Sequence, residues 1–496
     1  MGNFDYDLQT MQEARNVVRQ ANEAEEQFCR FTNEQVDKIL QNMVRVAEEN
    51  AATLARMAVE ETGFGKVEDK TVKNQVASEN VYEYIKDMKT IGVIREDKAN
   101  RITEIGEPVG VVLGIIPSTN PTSTVIYNAM IALKSRNTIV FSPHPAALKC
   151  TSEAARLMAE AAETAGAPAH TIECITHPSM AATNELMHSE EVKMIIATGG
   201  SAMVKAAYSC GKPALGVGPG NGPSYIEHTA DVKKSVEDIM ISKTFDYGTI
   251  CASEQSVIVE EGNRAQVIEE FRRLGGYFMN KEETGKVCSL LFKNGHNMNA
   301  QFVGRAPQVI ADAAGIVIPA NTKVLIGEQD GVGEGYPLSY EKLTTVLGFY
   351  TVKDWHEACE LCIRLLKNCG MGHTMSIHTD DPEIVRRFYE KPVFRIIVNT
   401  PATHGGVGIS TGLAPSFTLG CGTWGGSATA DNVTPLHLMN IKRVAYGIHE
   451  VRPAGPCAVP APAGVVGGVP SGDTGDEQLM AVVNEVLQLL KQKGEF

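Results

Sequence analysis

Apolar and polar positions along the chain change period several times, and each change marks an element. Over residues 7–57, Val17, Val18, Phe28, Ile39, Leu40 and Val44 recur mostly at helical spacing with charges on the other side, which predicts two or three amphipathic helices. A further helix is predicted over 72–88. Arg101-Ile102-Thr103-Glu104-Ile105 alternates as a strand does, and 108–116 is a near-continuous apolar run, as in a strand covered on both faces. Pro117-Ser118-Thr119-Asn120-Pro121-Thr122 breaks the run, and 123–133 reads as a helix. A strand at 138–141, the turn Ser142-Pro143-His144-Pro145, a helix to about 165, and short strands at 171–175 and 192–196 continue the alternation. This β-α-β-α rhythm implies a parallel sheet with helices on both faces. Past Asp231 it repeats, with apolar Val257-Ile258-Val259, a helix over 264–274, strand-like 324–326, a helix over 355–366 and strand-like 395–399.

The pattern therefore predicts two α/β domains, 1–228 and 229–425, with a cleft between them. A return segment, 426–451, follows. Residues 452–475 are dominated by Pro, Gly, Ala and Val with almost no charge, and read as a linker. Asp476-Glu477-Gln478 is a good helix start, and Leu479, Val482, Val483, Val486, Leu487 and Leu490 then fall at offsets of three and four, one apolar stripe over 476–496.

Composition narrows the functional class. A chain of 496 residues with 43% apolar positions can bury more than one large core. Its net charge of −14 argues against a nucleic-acid partner, which requires a basic patch or stripe. No apolar run approaches the roughly 18 residues that span a bilayer, so no membrane insertion is expected. Eleven cysteines without framework spacing, and no signal peptide, fit reduced thiols in a cytosol-like compartment.

Candidate chemistry lies in the turns, because ligands of parallel sheets bind beyond the carboxyl ends of the strands. Ala197-Thr198-Gly199-Gly200-Ser201 closes a strand and opens a helix, leaving N–H groups to meet a pyrophosphate. Gly216-Val217-Gly218-Pro219-Gly220-Asn221-Gly222 has glycine at every second position, although neither turn meets the strict G-x-G-x-x-G pattern. In Phe245-Asp246-Tyr247-Gly248-Thr249-Ile250-Cys251-Ala252-Ser253-Glu254 a cysteine sits between a glycine-bearing turn and a buried strand. Backbone N–H groups at such a junction stabilise a thiolate or an oxyanion. Cys359-Glu360-Leu361-Cys362 has C-x-x-C spacing, but without a second pair it reads as packing on an amphipathic helix, and no metal site is expected. Of the twelve histidines, only His373 and His404 sit in glycine-bearing turns.

The order of these motifs is specific: Pro117-Ser118-Thr119-Asn120-Pro121, Ser142-Pro143-His144-Pro145, Thr198-Gly199-Gly200, Gly218-Pro219-Gly220-Asn221, Cys251, Glu341-Lys342-Leu343 and Pro415-Ser416-Phe417-Thr418-Leu419-Gly420. Over about residues 10–450 it resembles the aldehyde dehydrogenase superfamily, and more narrowly its coenzyme-A-acylating branch, including the acetaldehyde and propionaldehyde dehydrogenases of bacterial microcompartments. The resemblance implies an α/β fold with two Rossmann-like domains, a small β oligomerisation element that includes a strand near 98–108, and a C-terminal helical tail. It implies that Cys251 attacks the aldehyde, with Asn120 and the Cys251 N–H as oxyanion donors. For NAD it implies a site built from Pro117, Ser118, Ser142, His144, Gly199, Gly200, Gly218, Pro219, Gly220 and Glu341, the last on the nicotinamide-side ribose. Ile250, His373 and Thr374 are expected in the substrate pocket.

Two departures from the superfamily pattern matter. Hydrolytic members place a glutamate, the base for the deacylating water, at the start of the second glycine-rich turn; here that place is Gly216-Val217-Gly218. A thioester without that base waits for a better nucleophile, and a thiol ionises several pH units more easily than water, so coenzyme A is the expected acceptor. Ser142 stands where many members have a lysine on the adenosine ribose, so NAD over NADP is an expectation from the branch alone. The 476–496 stripe resembles peptides that dock enzymes onto a microcompartment shell or its cargo. A homodimer or homotetramer acting on a short-chain aldehyde, in the cytoplasm within a bacterial microcompartment, follows from the same resemblance. Two other readings are a hydrolytic aldehyde dehydrogenase and a non-catalytic assembly scaffold.

Overall fold

Four helical segments open the chain in the computed structural model, which describes residues 5–451 and Ala481. Helices α1 (Tyr6–Phe28) and α2 (Asn33–Thr62) are the predicted amphipathic pair, and α2 buries Val36, Ile39, Leu40 and Met43. Thr32 and Gln35 form a capping box at the start of α2, and Gly63 ends it in the left-handed conformation. The helix expected over 72–88 starts earlier, as α3 (Val67–Gln75), and passes through a π-helical turn, Val76–Asn80, into α4 (Val81–Ile85). Its start escapes the periodicity because Lys70 and Lys73, which read as solvated charges, are buried.

Strands β1 (Gly92–Asp97) and β2 (Ile102–Pro108) form an antiparallel pair. The apolar run then becomes β3 (Val111–Ile115), buried at every position, followed by α5 (Pro121–Lys134), β4 (Thr138–Ser142), α6 (Leu148–Thr164) and β5 (Ile172–Cys174). Helix α7 (Met180–His188), β6 (Val192–Ala197), α8 (Ser201–Ser209) and β7 (Ala214–Gly216) complete a five-stranded parallel sheet of order β5-β4-β3-β6-β7. The order reverses between β3 and β6, and the crevice beyond their carboxyl ends is where such sheets bind ligands.

The second sheet opens with β8 (Gly222–Ile226), then α9 (Val232–Thr244), β9 (Glu254–Glu260), α10 (Arg264–Arg273) and β10 (Gly276–Met279). Residues that carried little pattern contain α11 (Lys281–Leu291), a hairpin of β11 (Phe292–Lys293) and β12 (Asn297–Met298), and α12 (Pro307–Ala314). Then come β13 (Val324–Glu328), β14 (Val346–Val352), α13 (Trp355–Asn368), β15 (Gly372–His378), α14 (Pro382–Arg387), β16 (Val393–Val398) and α15 (Ala402–Gly406). Seven parallel strands run in the order β10-β13-β14-β9-β8-β15-β16. The boundary expected at 228/229 thus falls one strand too late, since β8 pairs with β9 and β15. The glycine-rich run 216–222 is the crossover between the sheets, and with glycine at every second position it carries no strand pattern to mark that change of partner.

Strand β17 (Met439–Ala445) returns to pair antiparallel with β2, giving the order β1-β2-β17. Strands β2 and β17 lie in the segments expected to carry the oligomerisation element, and β1 precedes them. Contacts gather the described chain up to Tyr446 into one unit. Cys359 and Cys362 are buried on the inner face of α13, in a core with Tyr225 and Phe388, as the packing reading expects. No helix among the described residues is long and apolar enough to cross a membrane. The linker and stripe expected over 452–496 lie outside the described residues, Ala481 apart.

Candidate active site

Three consecutive residues with positive φ, Asp246 (49°), Tyr247 (51°) and Gly248 (76°), turn the chain between α9 and Cys251. Left-handed backbone costs an ordinary residue roughly 1–2 kcal/mol, so the turn persists only because its surroundings enforce it. The Asp246 carboxylate does much of this. It accepts from the Lys66 N–H at 2.8 Å, from Lys70 Nζ at 2.9 Å, from Thr249 Oγ1 at 2.6 Å and from Lys73 Nζ. Burial alone would raise that carboxyl; Lys73 and Lys70 outweigh it and hold it below its ordinary value. Gly248 is required on steric grounds too, because a Cβ there would stand 2.9 Å from the Thr344 carbonyl oxygen.

The Cys251 turn meets the loop that follows β3. Asn120 begins α5, and its Nδ2 donates to the Thr249 carbonyl at 3.0 Å while its Oδ1 accepts from Lys73 Nζ at 2.7 Å. From the other side comes the glycine-rich crossover. A Cβ on Gly220 would lie 1.8 Å from the Cys251 carbonyl oxygen, so only glycine permits this approach. The Gly220 N–H donates to Glu341 Oε1 at 2.8 Å.

These loops enclose a cleft of about 280 Å³ lined by Cys251, Ile250, Asn120, Glu341, Pro117 and Ser118, together with His144, Gly199, Gly200, Gly218 and Pro219. It is continuous with the crevice between β3 and β6. An adjoining pocket of about 520 Å³ shares Pro117, His144, Gly199 and Gly200 and adds Ser142. A Cβ on Gly199 or Gly200 would meet nothing within 4 Å, so the turn that starts α8 stands open to the cleft. A helix N-terminus facing a reversal crevice suits the pyrophosphate of a dinucleotide.

Burial pushes the Cys251 thiol up to about 12, with the neighbouring Glu341 carboxylate adding to the shift. The Arg395 guanidinium and the Cys251 N–H act in the opposite direction. Glu341 is itself pushed up to about 7 by burial, against the Gly220 N–H and the nearby Lys243 and Lys342. Among the described residues, Glu341 is the only carboxylate that lines the cleft.

Eleven of the fifteen residues expected in the site converge on the cleft, and Ser142 lines its annex. Gly220 stands behind the wall and acts through its N–H. His373 and Thr374 do not line the cleft. Both are buried on β15: the Thr374 hydroxyl accepts from Arg395 Nε at 3.1 Å and lies 2.9 Å from His373 Nδ1. The glycine-bearing turn that singled them out belongs to the start of a covered strand. Burial, with Arg395 adding, holds His373 well below its ordinary value, so its ring is neutral. His404 instead packs its ring against Phe245, 4.7 Å between centroids.

Sequence reasoning missed Lys70, Lys73 and Arg395, whose charges look like ordinary surface. Arg395 is buried and donates to the Gly420 carbonyl at 2.5 Å, pinning the 418–432 loop against β16.

Two parallel sheets joined by a glycine-rich crossover, with a cysteine facing the nucleotide crevice of the first, define a class, and the chain belongs to the aldehyde dehydrogenase family, whose family model matches residues 4–274. Within that family it is similar to acetylating members. An acetylating aldehyde dehydrogenase from Geobacillus thermoglucosidasius is 55% identical, with 90% of this chain and 99% of that one covered and a TM-score of 0.89. The bifunctional aldehyde-alcohol dehydrogenase AdhE of Escherichia coli strain K12 is 46% identical over 439 residues, 87% of this chain and 49% of the relative. The chain thus spans about half the length of such curated relatives. A propionaldehyde dehydrogenase from the fucose utilisation bacterial microcompartment of Clostridium phytofermentans is 28% identical, with 87% and 97% covered and a TM-score of 0.79.

Proposed function

We propose that the chain oxidises a short-chain aldehyde to its acyl-coenzyme A with NAD, and that Cys251 carries the acyl group between the two half-reactions. One observation supports this above the others: Cys251 and Asn120 converge in one cleft with Gly199 and Gly200, the turn that opens α8. The Cys251 thiolate attacks the carbonyl carbon, forming a C–S bond and leaving the electron pair on oxygen. Asn120 Nδ2 and the Cys251 N–H meet that oxyanion. As the oxyanion collapses, a hydride leaves the same carbon and Cys251 is left as a thioester. NAD, when bound, supplies the hydride acceptor, and Gly199, Gly200 and the start of α8 are the groups that would hold its pyrophosphate. The thiol of coenzyme A gives its proton to solvent, the resulting thiolate takes the acyl group, the enzyme C–S bond breaks, and the Cys251 thiolate is restored.

The branch of the family supports the acceptor, since the 55% identical structure is described as acetylating. The place where hydrolytic members carry the base for water, at the start of 216–222, holds no carboxylate here. NAD over NADP and acetaldehyde or propionaldehyde over longer substrates are carried by the resemblance. A homodimer or homotetramer is proposed through the β1-β2-β17 sheet, which exposes Val93, Ile441 and Val444. A place in the cytoplasm within a bacterial microcompartment, reached through residues 476–496, is supported by the composition of the tail and by the microcompartment relative.

The test is acceptor dependence. Without coenzyme A, the enzyme should release at most one NADH per site in a burst and then stall. Adding coenzyme A should restart turnover. Sustained NADH formation at full rate with water as the only acceptor refutes the reading and favours a hydrolytic enzyme.

A further inference from the structure

We propose that Lys73 is a positioning residue for this reaction: it fixes which end of the Asn120 amide faces the cleft. This role rests on the reading of Cys251 and Asn120 given above. An asparagine amide has two nearly isosteric ends, one donating and one accepting, and half a turn exchanges them. At a carbon that becomes an oxyanion, the wrong end replaces attraction by repulsion. The start of α5 does not make the choice, because Asn120 stands at its N-cap without any side-chain capping bond.

Lys73 makes it. Its Nζ donates to Asn120 Oδ1 at 2.7 Å, to Thr249 Oγ1 at 3.1 Å and to Asp246 Oδ2. The side chain is 2% exposed, so water does not substitute for these partners. An ammonium has three donors and no acceptor, and a flipped amide would set its NH₂ against it. The Thr249 carbonyl pulls the same way, accepting from Nδ2 at 3.0 Å, and Thr119 Oγ1, which also lines the cleft, accepts from Nδ2 at a longer 3.4 Å. One side chain thereby joins the Asn120 loop to the turn that carries Cys251.

The charge count separates this role from simple bracing. Two buried ammonium groups, Lys70 and Lys73, face the Asp246 carboxylate. Lys70 bonds Asp246 and the Thr119 carbonyl at 2.8 Å; only Lys73 reaches the Asn120 side chain. Lys73→Met leaves Lys70 and Asp246 as a one-to-one pair, with the Lys66 N–H and Thr249 Oγ1 still on the carboxylate. No buried charge is orphaned, and the variant is expected to fold.

The experiment is a double-mutant cycle on the full chain, read as the single-turnover rate of NADH formation with acetaldehyde and NAD. Lys73→Met should slow that rate by about 30–300-fold, with NAD affinity from a fluorescence titration held within about threefold. In an Asn120→Ala background the same substitution should cost less than about threefold, because no amide is left to orient. Lys73→Gln, whose amide keeps a donor toward Oδ1, should recover at least about a tenth of the wild-type rate. Equal losses with and without Asn120, or no loss in Lys73→Met, overturn the proposal. Should Lys73→Met fail to fold, the cycle between Lys73→Gln and Asn120→Ala decides by the same criterion. A wild-type enzyme that forms no NADH from any short-chain aldehyde overturns the underlying reading and the proposal with it, whereas an active wild type with additive variants overturns the role of Lys73 alone.

Discussion

Gly220→Ala tests whether the glycine-rich crossover sets the position of the nucleophile. The added Cβ would stand 1.8 Å from the Cys251 carbonyl oxygen, 2.7 Å from its carbonyl carbon and 3.2 Å from its Cα. The first distance falls short of an ordinary contact by about 1.5 Å, and backbone on both sides leaves no flexible side chain to yield. The Cys251 turn, the crossover or both must move, and Gly220 also carries the N–H that holds Glu341. A misplacement of about 1 Å at a reacting group costs on the order of 100-fold, so acylation should slow by at least that much. The assay is single-turnover NADH formation, with thermal unfolding in parallel. Gly262→Ala is the control, since a Cβ there meets nothing within 4 Å. A Gly220→Ala enzyme that keeps more than about a third of the wild-type rate would show that the crossover does not constrain Cys251, and the reasoning fails.

Three further outcomes are expected. Cys251→Ser should lower acyl transfer by several orders of magnitude while folding and NAD binding persist, and retention of more than about a tenth of the rate rejects Cys251 as nucleophile. Glu341→Gln should make Cys251 more reactive, because the carboxylate, ionised above about 7, penalises the thiolate; iodoacetamide alkylation followed against pH should shift to lower pH, and an unmoved profile removes Glu341 from the account. Truncation after Val451 should leave kcat and KM nearly unchanged but abolish co-purification with a shell, and a reporter fused to residues 452–496 should gain it; loss of activity or quaternary structure on truncation refutes targeting.

Much of the fold was legible because buried parallel strands are written as apolar runs. Residues 108–116 and 138–141 each have one reading, and β3 and β4 lie where those runs fall. Glycine-bearing turns marked Gly199, Gly200 and Cys251 for a similar reason, since sharp turns beside strands demand residues with unusual backbone freedom. Local pattern thus determined many of the elements and the repeated α/β rhythm, and the order of motifs, not any one of them, marked the central cysteine. Which strands pair, and which charges are buried, depends on contacts between residues far apart in the chain. Gly222–Ile226 joined the second sheet through partners at 254–259 and 376–378. Lys73 reads as a solvated charge on α3 until Asp246, 173 residues away, removes it from water. His373 sits in a promising turn, yet the strand it opens is covered. Burial of a charge or a histidine is a property of the assembled tertiary structure, because the desolvation that tunes these groups comes from every element packed around them.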